Sequence, residues 1–147
     1  MIDPLVAEGH LMDSTRLVLE RMCSMTPGPN DGLSDERKKH LACMRVQFTG
    51  PFRGSLLMAA EDEAAELFAP AFLGVDGEEL EPGTVGAVLA EMANMICGAT
   101  VSRIEPDGLF SLSSPAPFSP LPPAEDCVVE LGLDCGCGGL VVQLHIE

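Results

Sequence analysis

The chain has 147 residues, 46% of them hydrophobic, which is enough to bury the core of a single domain spanning residues 1–147. Its formal net charge is -15, with 23 acidic side chains against 8 Lys and Arg. Because phosphate groups are bound by clustered cations, this charge argues against nucleic acid and anionic membrane surfaces as partners and favours a partner that exposes Lys or Arg.

The N-terminal residues predict a helix rather than an export signal. No basic segment precedes an apolar core, and no apolar run reaches the length of a membrane span, so we expect a cytoplasmic protein. Asp3 and Pro4 suit the cap and first position of a helix that continues to about Met25. Two prolines and two glycines between Pro27 and Gly32 then end it.

The middle of the chain predicts a hairpin followed by a short helix. Residues 43–48 alternate in the manner of a strand, and residues 49–51 form a turn before a second strand near 52–59. The three acidic residues at 61–63 are favourable in the first turn of a helix, which we expect to end at Gly74. An acidic connector then leads to a long helix over Gly83–Arg103.

The last third of the chain predicts an extended edge and a second hairpin. Five prolines between Pro115 and Pro123 exclude a helix and permit only an extended or edge strand. Residues 127–133 and 140–146 are expected to pair around a turn. The order of elements indicates an α+β domain in which helices pack on one face of an antiparallel sheet.

The long helix carries an isolated pair of polar residues. From Pro82 to Ser102 the only charged residue is Glu91, and Asn94 follows it three positions later, so both lie on one face of the helix. A solvated helix face normally carries Lys, Glu, Gln or Arg, which favour helix and keep a protein soluble. Glu-x-x-Asn is a short pattern that also occurs by chance on exposed helices, and the sparse face around it is what favours a functional interpretation.

Small residues surround the pair on the predicted outer face. At about 100° per residue, Ala87 and Gly98 fall on the same side as the pair, flanked by Ala90 and Val101. Small side chains allow another surface to approach the helix backbone closely. The opposite face, expected to meet the core, comprises Val85, Val88, Leu89, Met92, Ile96 and Ala99.

With these features the chain resembles the CheX members of the CheC/CheX/FliY phosphatase family of bacterial chemotaxis. The resemblance covers the element order from about Pro4 to Glu147 and is most specific in the segment Glu91-Met92-Ala93-Asn94-Met95-Ile96-Cys97-Gly98. Pro117 stands where the family pattern has a proline. The chain departs from the pattern at Ala87, since the family has an acidic residue or Ser one turn before the glutamate.

The resemblance implies a CheX/CheC-like domain that dephosphorylates the aspartyl-phosphate of a CheY-type receiver domain. Glu91 would anchor the receiver through its Lys, and Asn94 would orient the attacking water. Ala87, Ala90 and Gly98 would form the small surface on which the receiver docks. This chain would bind no metal or other cofactor, because the receiver supplies Mg²⁺. The resemblance also implies a homodimer joined through strand edges.

Two other interpretations remain open from the sequence. Ala87 leaves open a non-catalytic interaction module of the same fold, which binds a receiver or another chemotaxis or flagellar component. Cys135 and Cys137, with Cys127 and His145 nearby in sequence, suggest zinc, but two Cys at a turn supply only half of a structural site. We expect the six cysteines to be mostly free thiols in a reducing cytosol.

Overall fold

The structure is a computed structural model that describes residues 2–29, 33, 35–38, 41–76, 80–136 and 138–147. Within these residues the elements are α1 (Pro4–Cys23), β1 (Gly28–Pro29), α2 (Asp35–Lys38), β2 (Ala42–Thr49), β3 (Gly54–Ala60), α3 (Asp62–Leu73), α4 (Thr84–Ile104), β4 (Ser111–Leu112), β5 (Ala116–Pro117), β6 (Val129–Asp134) and β7 (Gly139–Ile146). The single turn Ala124–Asp126 is a 3₁₀ helix.

The strands form one antiparallel sheet in the order β1-β6-β7-β3-β2-β4, with β5 also paired to β2. Both predicted hairpins are present, since β2 pairs with β3 and β6 pairs with β7. The proline-rich segment supplies the short edge strands β4 and β5. The prediction of an α+β domain built on an antiparallel sheet is therefore confirmed.

Helices α1, α3 and α4 cover one face of the sheet, as the alternation of apolar residues predicts. Val46 and Phe48 of β2, Leu56 and Met58 of β3 and Leu144 of β7 point into this helix-bearing core and are buried. The other face has a smaller apolar cluster, which includes Cys43, Leu57, Ala59 and Val141. Leu33, Leu41, Phe118 and Leu121 cover it, and the sequence did not predict this second cluster.

The predicted helix ends are close to the observed ones. The Asp3 carboxylate accepts a hydrogen bond from the Leu5 backbone N–H at 2.9 Å, which caps α1 at its start. That helix ends at Cys23 rather than near Met25, because Ser24 takes a left-handed conformation with φ 53°. Gly74, with φ 70°, ends α3 as predicted, since glycine adopts this conformation without a steric penalty.

Helix α4 is long and apolar enough to cross a membrane by length and composition alone, with a mean hydropathy of 1.4. This mean is taken over 18 consecutive residues of the helix and includes the charged Glu91, whereas the expectation from sequence rested on uninterrupted apolar runs. Core helices of soluble proteins meet the same requirement, and α4 packs against α1, α3, β2 and β3. Its composition is therefore weak evidence for a membrane segment.

Replacing Ser14 with alanine is expected to stabilise the fold by about 1 kcal/mol. Ser14 lies fully buried on α1, and its hydroxyl has no hydrogen-bond partner among the described residues. The neighbouring Thr15 is the matched control, because its buried hydroxyl donates to the Leu11 carbonyl at 2.8 Å. In urea unfolding, the free energy of unfolding should be higher than that of wild type for Ser14→Ala and lower for Thr15→Ala. An equal loss of stability in both variants would contradict the prediction.

Glu61 joins three parts of the fold near the start of α3. Its carboxylate pairs with the Arg37 guanidinium of α2 and accepts the Gly139 backbone N–H of β7 at 2.7 Å. The hydrogen bond from Arg37 is the largest cause of a lowered Glu61 pKa, and the backbone bond adds to it, while burial opposes both. The charged form of Glu61 therefore stabilises the folded protein.

The stabilisation that Glu61 gives to the fold is expected to be lost as the pH falls. Since its folded pKa lies below its unfolded value, the contribution is complete above the unfolded pKa and is lost as pH falls through the folded pKa. Glu61→Gln should reduce the free energy of unfolding by about 1 kcal/mol near neutral pH. Chemical denaturation at a series of pH values should show this difference shrinking below about pH 4. A difference that stays constant with pH would contradict the assigned role.

Candidate functional site

Helix α4 lies along β2, with its outer face beside the edge of the sheet. A Cβ atom added at Gly86 would lie 3.8 Å from Met44 Cε, and one added at Gly98 would lie 3.8 Å from Leu112 Cδ2. The N-terminal half of the helix is thus near Met44 of β2, and the C-terminal half is near β4. On its inner side α4 packs against α1 and α3.

All five predicted site residues lie on the accessible side of α4. Ala87 and Glu91 are exposed, whereas Ala90, Asn94 and Gly98 are half-buried. We call these five residues the outer stripe. Within the outer stripe, one carboxylate and one carboxamide lie three residues apart among side chains no larger than a methyl group.

The prediction that Val101 flanks this face is wrong. Val101 is only 1% exposed and belongs to the main core. After Ile104 the chain turns and returns as β4, and Phe110 and Leu112 pack against that core. The main core therefore extends to a position that helical spacing alone places outside.

The predicted core face of α4 is mostly confirmed. Four of its six residues are buried, namely Val88, Leu89, Met92 and Ile96, while Val85 and Ala99 are half-buried. The structure also buries Ala93, Cys97 and Thr100, which the prediction did not include. Thr100 satisfies its hydroxyl by donating to the Ile96 carbonyl at 2.7 Å.

The polar groups of the outer stripe are not engaged by the part of the fold that the structure describes. Within the described ranges, neither the Glu91 nor the Asn94 side chain takes part in a hydrogen bond or an ion pair. The carboxylate can therefore accept from a cation, and the carboxamide can both donate and accept. A partner that docks here meets both groups without first breaking an internal contact.

Met95 is a member of this surface that the sequence analysis did not include among the site residues. It follows Glu91 by one turn and is half-buried against the main core, so part of its side chain is accessible beside the outer stripe. A flexible thioether side chain adapts readily to a partner surface. The only sequence signal for it was its spacing of four residues from Glu91.

Pro117 lies at the sheet edge on the side that carries α4. The register of β5 places it opposite Met44, whose side chain reaches toward Gly86 of α4. It is exposed, and proline offers no backbone N–H to a further strand. The residue that the family resemblance singled out thus borders the N-terminal half of the candidate surface.

The cysteines offer no competing site among the described residues. Cys23, Cys43, Cys97 and Cys127 are free thiols, as expected, and Cys137 lies outside the described residues, so the predicted Cys135–Cys137 pair is not defined. Burial raises the pKa of Cys23 and Cys43 to about 11 and that of Cys97 to about 12, which keeps these thiols protonated. No group of three or more His, Cys, Asp or Glu residues suited to a metal ion occurs in the described ranges.

Residues 42–120 match the family model described as chemotaxis phosphatase CheX. This segment spans β2 to the proline-rich segment and includes all of the outer stripe. No curated protein sequence matches the chain.

Solved structures of three bacterial proteins share the fold over nearly the whole chain. The chemotaxis protein CheX from Vibrio vulnificus is 17% identical, with a TM-score of 0.76 and complete coverage of both chains. A CheC-like superfamily protein from Shewanella is 19% identical, with a TM-score of 0.77, covering 97% of this chain and 98% of that one. The CheX–CheY–BeF3–Mg²⁺ complex from Borrelia burgdorferi is 17% identical, with a TM-score of 0.66, covering 100% and 99%.

Proposed function

Because this chain belongs to the chemotaxis phosphatase CheX family, we propose that it hydrolyses the aspartyl-phosphate of a CheY-type receiver domain. The observation that carries the proposal is the accessible and unengaged pair of Glu91 and Asn94 on α4, inside the segment that matches the family. The Borrelia relative forms a complex with CheY, BeF3 and Mg²⁺, which supports a receiver as the partner and Mg²⁺ as the receiver's contribution.

Asn94 is proposed to orient the attacking water. In the reaction a water oxygen forms a bond to phosphorus while the bond from phosphorus to the aspartyl oxygen breaks, which yields inorganic phosphate and the free carboxylate. The phosphate oxygens take up the water proton, so no strong base is needed on this chain. A carboxamide suits the task because it fixes a water through both donor and acceptor without titrating near neutral pH.

Glu91 is proposed to hold the receiver in register. Its exposed carboxylate would accept a charge-assisted hydrogen bond from the Lys of the receiver's active site. The spacing of three residues then fixes the distance between this anchor and Asn94, because both side chains project from one rigid helix. Glu91 thereby sets the position of the water relative to the phosphoryl group.

The remaining residues of the outer stripe are proposed to let the receiver approach. Ala87, Ala90 and Gly98 add no side chain longer than a methyl group, so the partner can reach Asn94 on the helix surface. Met95 adds an adaptable apolar contact beside Glu91. We also propose that the protein is cytoplasmic and dimeric, with the short strands at the sheet edges as the place where two copies meet.

The proposal is tested by following phosphate loss from a phosphorylated CheY-type receiver with Mg²⁺ and catalytic amounts of this protein. Repeated turnover by wild type supports a phosphatase. Glu91→Ala should act more weakly because it binds the receiver less tightly, which appears as a higher KM. Unchanged phosphate decay across several receivers that bind the protein would contradict catalysis.

A non-catalytic module of the same fold is the second candidate, and Ala87 is the observation that favours it. An acidic residue or Ser one turn before Glu91 is replaced here by a methyl group, which cannot form a hydrogen bond. A binder protects or sequesters a receiver in proportion to its amount, whereas an enzyme works far below the receiver concentration. Ala87→Asp should raise turnover if this substitution is what limits activity.

A further inference from the structure

An apolar groove of about 660 Å³ lies at one end of the sheet, apart from the outer stripe. Its apolar lining comes from four separate places in the chain, which the fold brings together: Ile2, Pro51 with Phe52, Val128 and Ile146. We call this the end groove. Its volume lies within the range of clefts that hold a ligand or several side chains of a partner.

Exposed apolar side chains lie on segments that supply the end groove or pack against it. Leu109 is 91% exposed, and its backbone lies against the turn that supplies Pro51, because a Cβ added at Gly50 would be 2.7 Å from the Leu109 carbonyl oxygen. Leu5 and Val6, in the first turn of α1 just after Ile2, are 76% and 52% exposed. Large apolar side chains concentrated in this way are typical of interaction surfaces.

The rim of the end groove is acidic. Glu105 and Glu147 line it, and Asp3 and Asp107 are exposed on the segments that supply Ile2 and Glu105. Arg53 pairs with Glu147 at 3.2 Å, whereas Glu105 forms no ion pair with any described residue. The rim therefore keeps an excess of negative charge on a protein whose net charge is already -15.

We propose that the end groove binds a cationic amphipathic helix of a partner protein. The apolar side chains of such a segment, three and four residues apart, would enter the groove, and its Lys or Arg residues would face Glu105 and the other rim acids. The groove begins where α4 ends, about 16 Å along the helix from Asn94. The inference does not rest on the proposed phosphatase activity, and both sites can be occupied at once.

The negative charge of the rim argues against two other occupants of the end groove, an anionic membrane surface and a second copy of this chain. An anionic membrane surface would be repelled by the acidic rim, although it offers an apolar interior. A second copy of this chain would bring further acidic side chains against the rim, because Asp and Glu outnumber Lys and Arg by 23 to 8. A cationic segment is the one occupant that satisfies the apolar floor and the rim together.

The test is fluorescence anisotropy with a labelled synthetic peptide that has Leu on one helical face and Lys elsewhere. A control peptide has the same composition in an order that forms no apolar face. Glu105→Lys reverses the rim charge, and Ile2→Asp places a charge on the apolar floor outside any helix or strand. Glu66→Lys, on an exposed face of α3 that contributes nothing to the groove, is the matched control.

We expect Glu105→Lys to raise the Kd about fivefold and Ile2→Asp about tenfold, with Glu66→Lys within about twofold of wild type. The control peptide should bind at least about tenfold more weakly. Equal binding of the two peptides, or equal effects of Glu105→Lys and Glu66→Lys, overturns the proposal. So does a groove variant that changes only the oligomeric state measured by ultracentrifugation, since the occupant would then be a second copy.

Discussion

Replacing Asn94 with alanine is expected to lower turnover of a phosphorylated receiver by about 100-fold while leaving receiver binding nearly unchanged. The carboxamide is proposed to contact only the water, so its loss removes orientation in the transition state and leaves the Glu91 anchor in place. The measurement is single-turnover phosphate release, with receiver affinity determined separately by titration. This variant gives the largest expected effect on activity of any change on α4.

The fold itself should survive Asn94→Ala, which makes the result interpretable. Asn is a weaker helix former than Ala by up to roughly 0.7 kcal/mol, so the variant should be as stable as wild type or slightly more stable. Ser102→Ala is the matched control, because Ser102 is exposed further along α4 and is not assigned to the site. If Asn94→Ala retains wild-type turnover, the water-orienting role is wrong even where the phosphatase activity is real.

Replacing Gly54 with alanine is expected to destabilise the fold by about 3 kcal/mol, the largest change in stability that we predict. Gly54 begins β3, and a Cβ atom there would lie 1.9 Å from the His145 carbonyl oxygen and 2.9 Å from Phe48 Cζ. The carbonyl belongs to β7, the strand paired with β3, so it cannot move away without disturbing the ladder. Phe48 is held in turn by edge contacts with Phe52 and Phe110.

Two other glycines provide controls for Gly54→Ala. A Cβ atom at Gly28 or Gly9 would meet nothing within 4 Å. Gly28→Ala should be nearly neutral, and Gly9→Ala should stabilise α1 by about 1 kcal/mol because glycine is a poor helix former. Since the chain has no Trp or Tyr, urea unfolding is best followed by far-UV circular dichroism. A Gly54→Ala variant as stable as Gly28→Ala would contradict the steric argument.

Local signals explain why most elements could be predicted from sequence. Asp3 and Gly74 act within a few residues of the helix ends that they define, and the alternation in residues 43–48 is itself the strand pattern. The burial of Val101 in the main core is instead a result of tertiary packing, which no local pattern encodes. The apolar cluster on the second face similarly depends on Leu33 and Phe118, which are far apart in sequence.

The candidate site could be predicted from the sequence only in part, because a local pattern marks some of its residues and not others. Glu91 is the only charged residue from Pro82 to Ser102, and such a sparse helix face departs from an ordinary solvated surface, so Glu91 and Asn94 could be predicted as site residues. Met95 could not, because an apolar residue at helical spacing has the same pattern whether it faces the core or a partner. The buried arc of α4 is also wider than predicted and includes Ala93 and Cys97, because α1, α3 and the sheet all contact this helix.

The central position of β7 has a consequence for how the chain acquires its structure. This strand pairs with β3 on one side and β6 on the other, and Gly54 lies opposite Ile146, although 92 positions separate them. Such long-range pairing raises the contact order and slows folding, because a large loop must close before the ladder forms. During synthesis the inner edge of β3 stays open until β7 has emerged. The β2–β3 hairpin must therefore wait, with the backbone hydrogen-bonding groups of that edge unpaired, for a strand made much later.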